Sequence, residues 1–292
     1  MESAAIERGD RIPGSTYREL APSRPLAGAV VCTWMQVIGD GTVDHAQPVL
    51  PDGCADLLWI GDAPPVAVGP ATGAALAMLP PRTAILGVRL RPGWAASVLG
   101  APASEILDRD VALGDLWGRA ADALADPLLD EPRPAARFAA IEQALAARCA
   151  RACPADPLAL AAVAWLARHP AEPAARLARE LGVSPRHLYR RFAAAVGYGP
   201  KTFQRVARFQ RLLALGARGG ARPGGARAGL GQLALDAGYA DQAHMTREVR
   251  ALAGRTPTAT VGVAGSALSM SDLFTAGSDQ RDRRDERALP RR

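Results

Sequence analysis

Two clusters in the C-terminal half of the chain combine arginine with a tyrosine or a glutamine. The first cluster holds Arg186, Tyr189 and Arg190, and the second holds Gln242 and Arg247. Tyr189 and Arg190 follow Arg186 by three and four residues, so these three share one face of a helix. Arginine can bind guanine, and glutamine can bind adenine, through two hydrogen bonds, each pair discriminating by about 1–3 kcal/mol. These five residues are therefore predicted to contact base edges in duplex DNA.

Three further side chains are predicted to hold phosphates beside the bound bases. They are Ser184, Arg191 and Thr246. Hydroxyl and guanidinium groups donate hydrogen bonds to phosphate oxygens, and such contacts set the register of a protein on DNA without reading its sequence. The alternative for every residue in both groups is an exposed side chain that contacts only solvent.

Both clusters lie in a unit that occurs twice, in residues 177–200 and 233–257. Each copy predicts two short amphipathic helices joined at a glycine, Gly182 or Gly238, because glycine turns sharply at low cost. Ser184 and Asp241 are suited to cap the second helix of their copies. The matching pairs are Leu177 with Leu233, Ala178 with Ala234, Glu180 with Asp236, Leu188 with Met245, Arg190 with Arg247, Gly197 with Gly254 and Pro200 with Pro257.

The second helix of each copy is predicted to bury one face and to expose the face that carries the arginines. The inward residues are Leu188, Phe192 and Val196 in the first copy, and Met245, Val249 and Leu252 in the second. A packed helix with a basic outer face suits the major groove. One glycine turn is also compatible with a helical protein–protein adaptor. Two copies joined by a predicted helix over residues 200–215 favour DNA.

These turns resemble the DNA-binding domain of AraC/XylS-type transcription regulators over about residues 158–258. The matching residues are Gly182, Ser184, Phe192, Gly197 and Pro200 in the first unit, and Gly238, Tyr239, Gly254 and Pro257 in the second. The resemblance implies sequence-specific binding to double-stranded DNA, with recognition helices in major-groove segments about 34 Å apart. It also implies RNA polymerase as a partner if the protein activates transcription. A homodimer is left open.

Two features depart from the family pattern. Met245 and Val249 are smaller than the usual residues of the second recognition helix, which predicts a slightly looser second unit. Residues 216–229 are longer and richer in glycine than the usual connection, and they are predicted to form a flexible basic loop. Sequence alone does not reveal what this loop does.

The two halves of the chain carry opposite net charges. Residues 1–150 hold 12 arginines and 18 acidic residues, a net charge of −6. Residues 151–292 hold 23 basic and 11 acidic residues, a net charge of +12, and the sum is the overall +6. A basic half points to a polyanion as its partner, with binding that weakens as salt rises.

Short apolar runs with β-branched residues mark the N-terminal half, at residues 26–38, 55–60, 66–68 and 83–90. They predict a small β-barrel-like domain or sheet with following helices. With the all-α C-terminal domain of two helix-turn-helix units joined by a linker helix, the fold class is α+β. The predicted order is a flexible N-terminus (1–16), a β-rich sensory domain (17–125), a helical linker (126–156), the double helix-turn-helix domain (157–260) and a disordered tail (261–292).

The N-terminal half also resembles that of a subgroup of AraC-like regulators, over residues 50–59 and 87–106. The sensory role of that half is mostly unassigned in the subgroup, so the resemblance implies either a small-molecule effector or a dimer contact. The candidate pocket walls are Trp34, Trp59, Trp94 and Trp117, with ordinary core packing as the alternative.

Metal binding, catalysis and membrane insertion find little support. Cys149 and Cys153 are one helical turn apart and could share a metal ion. A structural zinc site usually has two close pairs of cysteines, however, and Cys32 and Cys54 are 22 residues apart. Buried, reduced thiols are therefore expected. The four histidines are scattered, and no nucleophile elbow or phosphate-binding loop occurs, so no enzyme activity and no cofactor are expected. The apolar run at 157–167 is too short to span a membrane, and a cytoplasmic protein is expected.

Overall fold

The chain folds into a sheet-rich N-terminal part and a helical C-terminal part, which confirms the predicted α+β class. The computed structural model describes residues 8–12, 14–41, 43–121, 134–220 and 229–263. One hydrophobic core lies against the sheet and another among the C-terminal helices.

Nine strands are present in the described residues, and seven of them form one antiparallel sheet in the order β1-β2-β3-β8-β5-β6-β9. The strands are β1 Arg8–Ile12, β2 Ser15–Leu20, β3 Val30–Ile38, β4 His45–Val49, β5 Ala55–Ile60, β6 Val66–Val68, β7 Ala75–Leu79, β8 Ala84–Leu90 and β9 Asp110–Ala112. Strands β4 and β7 pair in a separate ribbon. Among the described residues the edge strands β1 and β9 do not pair with each other, so the larger sheet is open.

The alternation of side chains along β5 and β8 gives the sheet two buried faces. Leu57, Trp59 and Val88 point into the core that the N-terminal helices cover. Trp34 and Ile85 belong to a smaller core on the opposite face, to which β7 contributes Leu79 and Ala77. Successive residues of a strand point to opposite faces, and β5 and β8 carry apolar residues on both, so both faces of the sheet require cover.

In the described residues of the N-terminal part, three α-helices cover the first face: α1 Ala95–Leu99, α2 Leu113–Trp117 and α3 Pro134–Arg151. Phe138, Ile141 and Leu145 of α3 are buried in the same core as the sheet residues. Helix α3 therefore belongs to the N-terminal core, although residues 126–156 are expected from sequence to be a linker. Its apolar stripe packs within the subunit.

Strand β1 lies inside residues 1–16, which are expected from sequence to be a flexible terminus. Arg8 pairs with Glu19, and Ile12 pairs with Ser15, in antiparallel register. An edge strand is held by backbone hydrogen bonds and tolerates polar side chains, so its sequence lacks the apolar run that marks a central strand. Residues 1–7 and 264–292, with most of the expected tail, lie outside the described residues.

The C-terminal part consists of α4 Pro157–Arg168, α5 Ala174–Glu180, α6 Pro185–Val196, α7 Pro200–Gly220, α8 Leu230–Ala237, α9 Gln242–Ala253 and α10 Pro257–Val263. Helix α7 is the predicted linker helix, and it continues beyond residue 215 into the segment expected to be a flexible loop. Helix α10 packs closely against α7 at Gly216, where a Cβ would lie 2.2 Å from Val261 Cγ1, so this position has no room for a side chain. The rest of the expected loop, residues 221–228, lies outside the described residues.

Candidate nucleic-acid interface

The first helix-turn-helix unit consists of α5 and α6. Gly182 makes the turn with a φ of +64°, a conformation that favours glycine. Ser184 caps α6 by accepting a hydrogen bond from the backbone N–H of His187 at 3.2 Å. Pro185 takes the first helical position, where its missing N–H costs nothing. Ser184 and Pro185 thus set the residue at which α6 begins.

Helix α6 buries one side and exposes the other. Leu188, Phe192 and Val196 lie in the C-terminal core, as predicted. The predicted base contacts are all exposed: Arg186, Tyr189 and Arg190. Tyr189 remains 59% exposed although its ring lies so close to the next turn that a Cβ at Gly199 would be 2.3 Å from its Cε2.

Arg191, predicted to hold a phosphate, contacts a carboxylate of its own chain. Its Nη2 donates to Asp156 Oδ1 at 2.7 Å, and its Nε donates to the other carboxylate oxygen. Asp156 also caps α4 by accepting from the N–H groups of Leu158 and Ala159. Burial by itself would raise the pKa of Asp156, but these hydrogen bonds outweigh it and hold the pKa below its ordinary value. Arg191 therefore joins α6 to the start of α4.

We expect Asp156→Ala to lower the free energy of unfolding by about 1 kcal/mol through loss of the cap. Asp156→Asn should lose less, because the amide oxygen still accepts from the backbone. Since the folded pKa of Asp156 is depressed, its contribution is present above the ordinary pKa and is lost as pH falls through the lowered one. Denaturant unfolding of both variants at neutral and acid pH measures this, and a wild-type midpoint for Asp156→Ala would contradict it.

The second unit, α8 and α9, repeats the first with one change in the turn. Gly238 has a φ of +93°, and Asp241 caps α9 by accepting from the N–H of His244 at 2.6 Å. Met245 and Val249 are completely buried. The smaller size of these two side chains predicted looser packing of the second unit. Their complete burial shows no such looseness in this core.

The outer face of α9 carries the remaining predicted DNA contacts. Gln242 and Arg247 are exposed. Thr246 is half-buried, and its hydroxyl donates to the carbonyl oxygen of Gln242 at 2.8 Å. All five predicted base-contacting residues thus lie on the two recognition helices with their side chains accessible.

A charged cluster between α7 and α9 was not predicted from the sequence. Glu248 lies 2.9 Å from Arg208 Nη2 and 3.3 Å from both Arg205 Nε and His244 Nε2. The His244 ring also packs edge-on against Tyr239, with ring centroids 5.4 Å apart. The i, i+4 spacing of His244 and Glu248 could have indicated one of these contacts. The others depend on how two distant helices pack.

The N-terminal part packs directly against α7 and against the C-terminal end of α6. Gln210 of α7 is buried and donates to the carbonyl oxygen of Pro51 at 2.6 Å. A Cβ at Gly53 would lie 3.1 Å from Phe203, so this turn seats closely on α7. At the end of α6, a Cβ at Gly197 would lie 3.1 Å from Pro70 Cγ. The C-terminal end of the first recognition helix is therefore covered, and its N-terminal end is accessible.

A cavity of about 980 Å³ lies where α1, α2 and α3 meet α6. Half of the residues in its wall are alanines, including Ala194 of α6, and its cationic residues are Arg148 and Arg151. Trp117 lines it as well, with the Arg148 guanidinium 4.5 Å from the ring centroid. Of the four tryptophans suggested as pocket walls, Trp117 alone lines this cavity. Trp34 and Trp59 are core residues of the sheet, and Trp94 packs against it.

The cysteines differ in exposure. Cys32 and Cys54 are buried, Cys149 is half-buried and Cys153 is exposed, so the expectation of buried thiols is wrong for the last. In the part of the chain that the structure describes, no three His, Cys, Asp or Glu side chains are grouped to hold a metal ion. None of the helices described here has both the length and the apolar character needed to cross a membrane.

Comparison with known proteins matches two parts of the chain to family models. Residues 177–262 match a helix-turn-helix domain, and residues 18–112 match a domain of unknown function (DUF6597). ToxT from Vibrio cholerae O395 aligns with 77% of this chain and 96% of its own, at 10% identity and a TM-score of 0.43. An apo ToxT variant from Vibrio cholerae strain SCE256 aligns with 87% and 99%, at 12% identity and a TM-score of 0.42. No curated protein sequence matches the chain.

Proposed function

We propose that the chain, which matches a helix-turn-helix domain behind a DUF6597 domain, is a DNA-binding transcription regulator that reads sequence with α6 and α9 in successive major-groove segments. Major-groove segments on one face of a duplex recur about every 34 Å. Helix α7 is continuous between the two units, and we propose that the duplex bends to admit both recognition helices.

One observation supports this function above the others: the outer faces of both recognition helices are accessible beside the same end of α7. Tyr189 of α6 packs against Gly199, just before α7 begins. Arg247 of α9 lines a cleft with Lys201, in the first turn of α7. Two groove-reading helices must present their side chains to the same duplex, and this neighbourhood supports that arrangement.

The proposed base contacts are the exposed residues of the two helices. They are Arg186, Tyr189 and Arg190 from α6, and Gln242 and Arg247 from α9. Ser184 is proposed to contact a phosphate at the edge of the groove, and Thr246 is proposed to do so by turning its hydroxyl away from the carbonyl oxygen of Gln242. Arg191 is proposed to do so only by exchanging its contact with Asp156 for one with a phosphate.

Selection of bound duplexes from a random pool tests the function. We expect an enriched motif with two half-sites about one helical turn, ~10 base pairs, apart. Enrichment of one half-site alone would remove the second unit from recognition. No enrichment even at low salt would favour the alternative, a helical adaptor whose basic face binds an acidic protein partner.

We further propose that a small apolar anion in the cavity between α1, α2, α3 and α6 modulates DNA binding. The alanines suit an apolar body. Arg148 donates to the carbonyl oxygens of Val98 and Leu99, and Arg151 donates to that of Ala147, and their remaining N–H donors suit an anionic group. Because Ala194 belongs to the first recognition helix, an occupant would contact that helix directly.

We expect Ala147→Phe, which places a ring in this cavity, to abolish binding of anilinonaphthalene sulfonate, an apolar aromatic anion. Ala150→Phe is the matched control, because Ala150 is exposed on the same helix and does not line the cavity. Fluorescence titration of the two variants and the wild type measures binding. Saturating probe should also change the affinity of the wild type for its selected duplex. Equal probe binding by both variants would contradict the site, and an unchanged affinity would contradict the coupling.

A further inference from the structure

A second, smaller cleft separates the first turns of α7 from α9. Its volume is about 360 Å³, and it is lined by Lys201, Arg205, His244, Arg247 and Glu248. Three of the five side chains are permanently cationic and one is acidic. Of these residues only Arg247 is among the proposed base contacts.

The acidic residue of this cleft is already paired on its inner side. Glu248 is 2.9 Å from Arg208, whose side chain is only 10% exposed and which also donates to the carbonyl oxygen of Pro170 at 3.1 Å. One nearly buried arginine thus balances one carboxylate. Lys201 is exposed, and the Arg205 side chain is 33% exposed with its Nε 3.3 Å from Glu248 Oε1. The cleft therefore presents an excess of positive charge to solvent.

The cleft also lies between the two faces proposed to read bases. On the side of the first recognition helix, Tyr189 packs against Gly199, which lies two residues before Lys201. Arg247 of the second recognition helix forms the opposite wall. A duplex that places successive major-groove segments on α6 and α9 must pass its intervening minor groove, and the phosphates along it, across this region.

We infer that this cleft binds a backbone phosphate of the DNA between the two half-sites, with Lys201 and Arg205 as its ligands. The inference rests on the proposed function and adds two residues to it. Their contacts are independent of base sequence, so they contribute equally to binding of any duplex. They hold the DNA against the first turns of α7 and thereby set the spacing at which the two recognition helices enter it.

Salt titrations of Lys201→Gln and Arg205→Gln test the inference. Each phosphate contact releases counterions and contributes about 0.9 to the slope of log affinity against log salt. We expect each variant to bind both the selected duplex and a random duplex more weakly, by the same factor, and to lose about one unit of slope. Lys201→Arg should retain the wild-type slope, because it keeps the charge.

Arg18→Gln is the matched control, since it removes one exposed charge from β2 in the N-terminal sheet. Thermal unfolding of every variant identifies losses caused by misfolding. Slopes equal to those of the control in both Gln variants would overturn the inference, and so would a loss confined to the selected duplex. Equal affinity of the wild type for both duplexes would instead overturn sequence-specific binding, while the slopes on random DNA would still test the phosphate site.

Discussion

Replacing Arg190 with alanine is expected to weaken binding to the selected duplex by roughly 5- to 150-fold, equivalent to about 1–3 kcal/mol, with little change on random DNA. Arg190 is exposed on the outer face of α6, one turn from Arg186. A guanidinium that donates two hydrogen bonds to guanine loses them on any other base, so its removal affects the cognate sequence. Competition binding with the two duplexes at one salt concentration measures the difference.

Arg191→Ala is the comparison for this prediction, because Arg191 is the next residue of the same helix and contacts Asp156 instead of pointing freely into solvent. It should affect both duplexes to the same degree. If Arg190→Ala also lowered affinity for both duplexes equally, Arg190 would be assigned to the DNA backbone. If neither duplex were affected, Arg190 would be a solvated side chain.

The turns and caps of both units could be predicted because they depend on neighbouring residues. Gly182 and Gly238 both adopt a positive φ, and Ser184 and Asp241 both cap the helix that follows them. Glycine in the left-handed region and a side-chain oxygen at an N-cap act within four residues of sequence. The repeat then allows each copy to support the interpretation of the other.

Contacts between distant segments could not be predicted in the same way. Arg191 finds its partner 35 residues earlier, and Arg208 finds Glu248 40 residues later. Gln210 reaches Pro51 across 159 residues. Helical spacing shows which side chains share a face, but not which other helix will cover that face. The smaller basic cleft was missed for this reason, since α7 and α9 supply separate walls of it.

Strand β4, in the separate ribbon, was missed for a different reason. Strand β6 is apolar throughout, β5 is apolar except for Asp56, and the bounds of both match the prediction. Strand β4 instead contains Gln47, whose side chain accepts from Gln36 of β3, and Pro48, which cannot donate to a ladder. Such residues interrupt the pattern by which a strand is recognised, although the backbone still pairs.

The equivalent glycines of the two units provide a matched test of the repeat, because their surroundings differ. Gly182 has a φ of +64° and no atom within 4 Å of the position that a Cβ would take, whereas Gly238 has a φ of +93° with Pro170 only 3.2 Å from that position. We expect Gly182→Ala to cost about 1–2 kcal/mol, from left-handed strain alone. Gly238→Ala should cost roughly 3 kcal/mol, the upper end of the range for backbone strain, because Pro170 must also move.

Thermal unfolding measures the difference, and footprinting of the selected duplex shows its consequence. Because α9 begins four residues after Gly238, distortion of this turn moves the second recognition helix while α6 keeps its position against the N-terminal part. Gly238→Ala should therefore lose protection of one half-site and keep the other, and Gly182→Ala, at temperatures where it is folded, should protect both. Equal losses of stability would show that the contact with Pro170 adds nothing to the strain. Full protection of both half-sites by Gly238→Ala would show that the turn does not set the position of α9 on DNA.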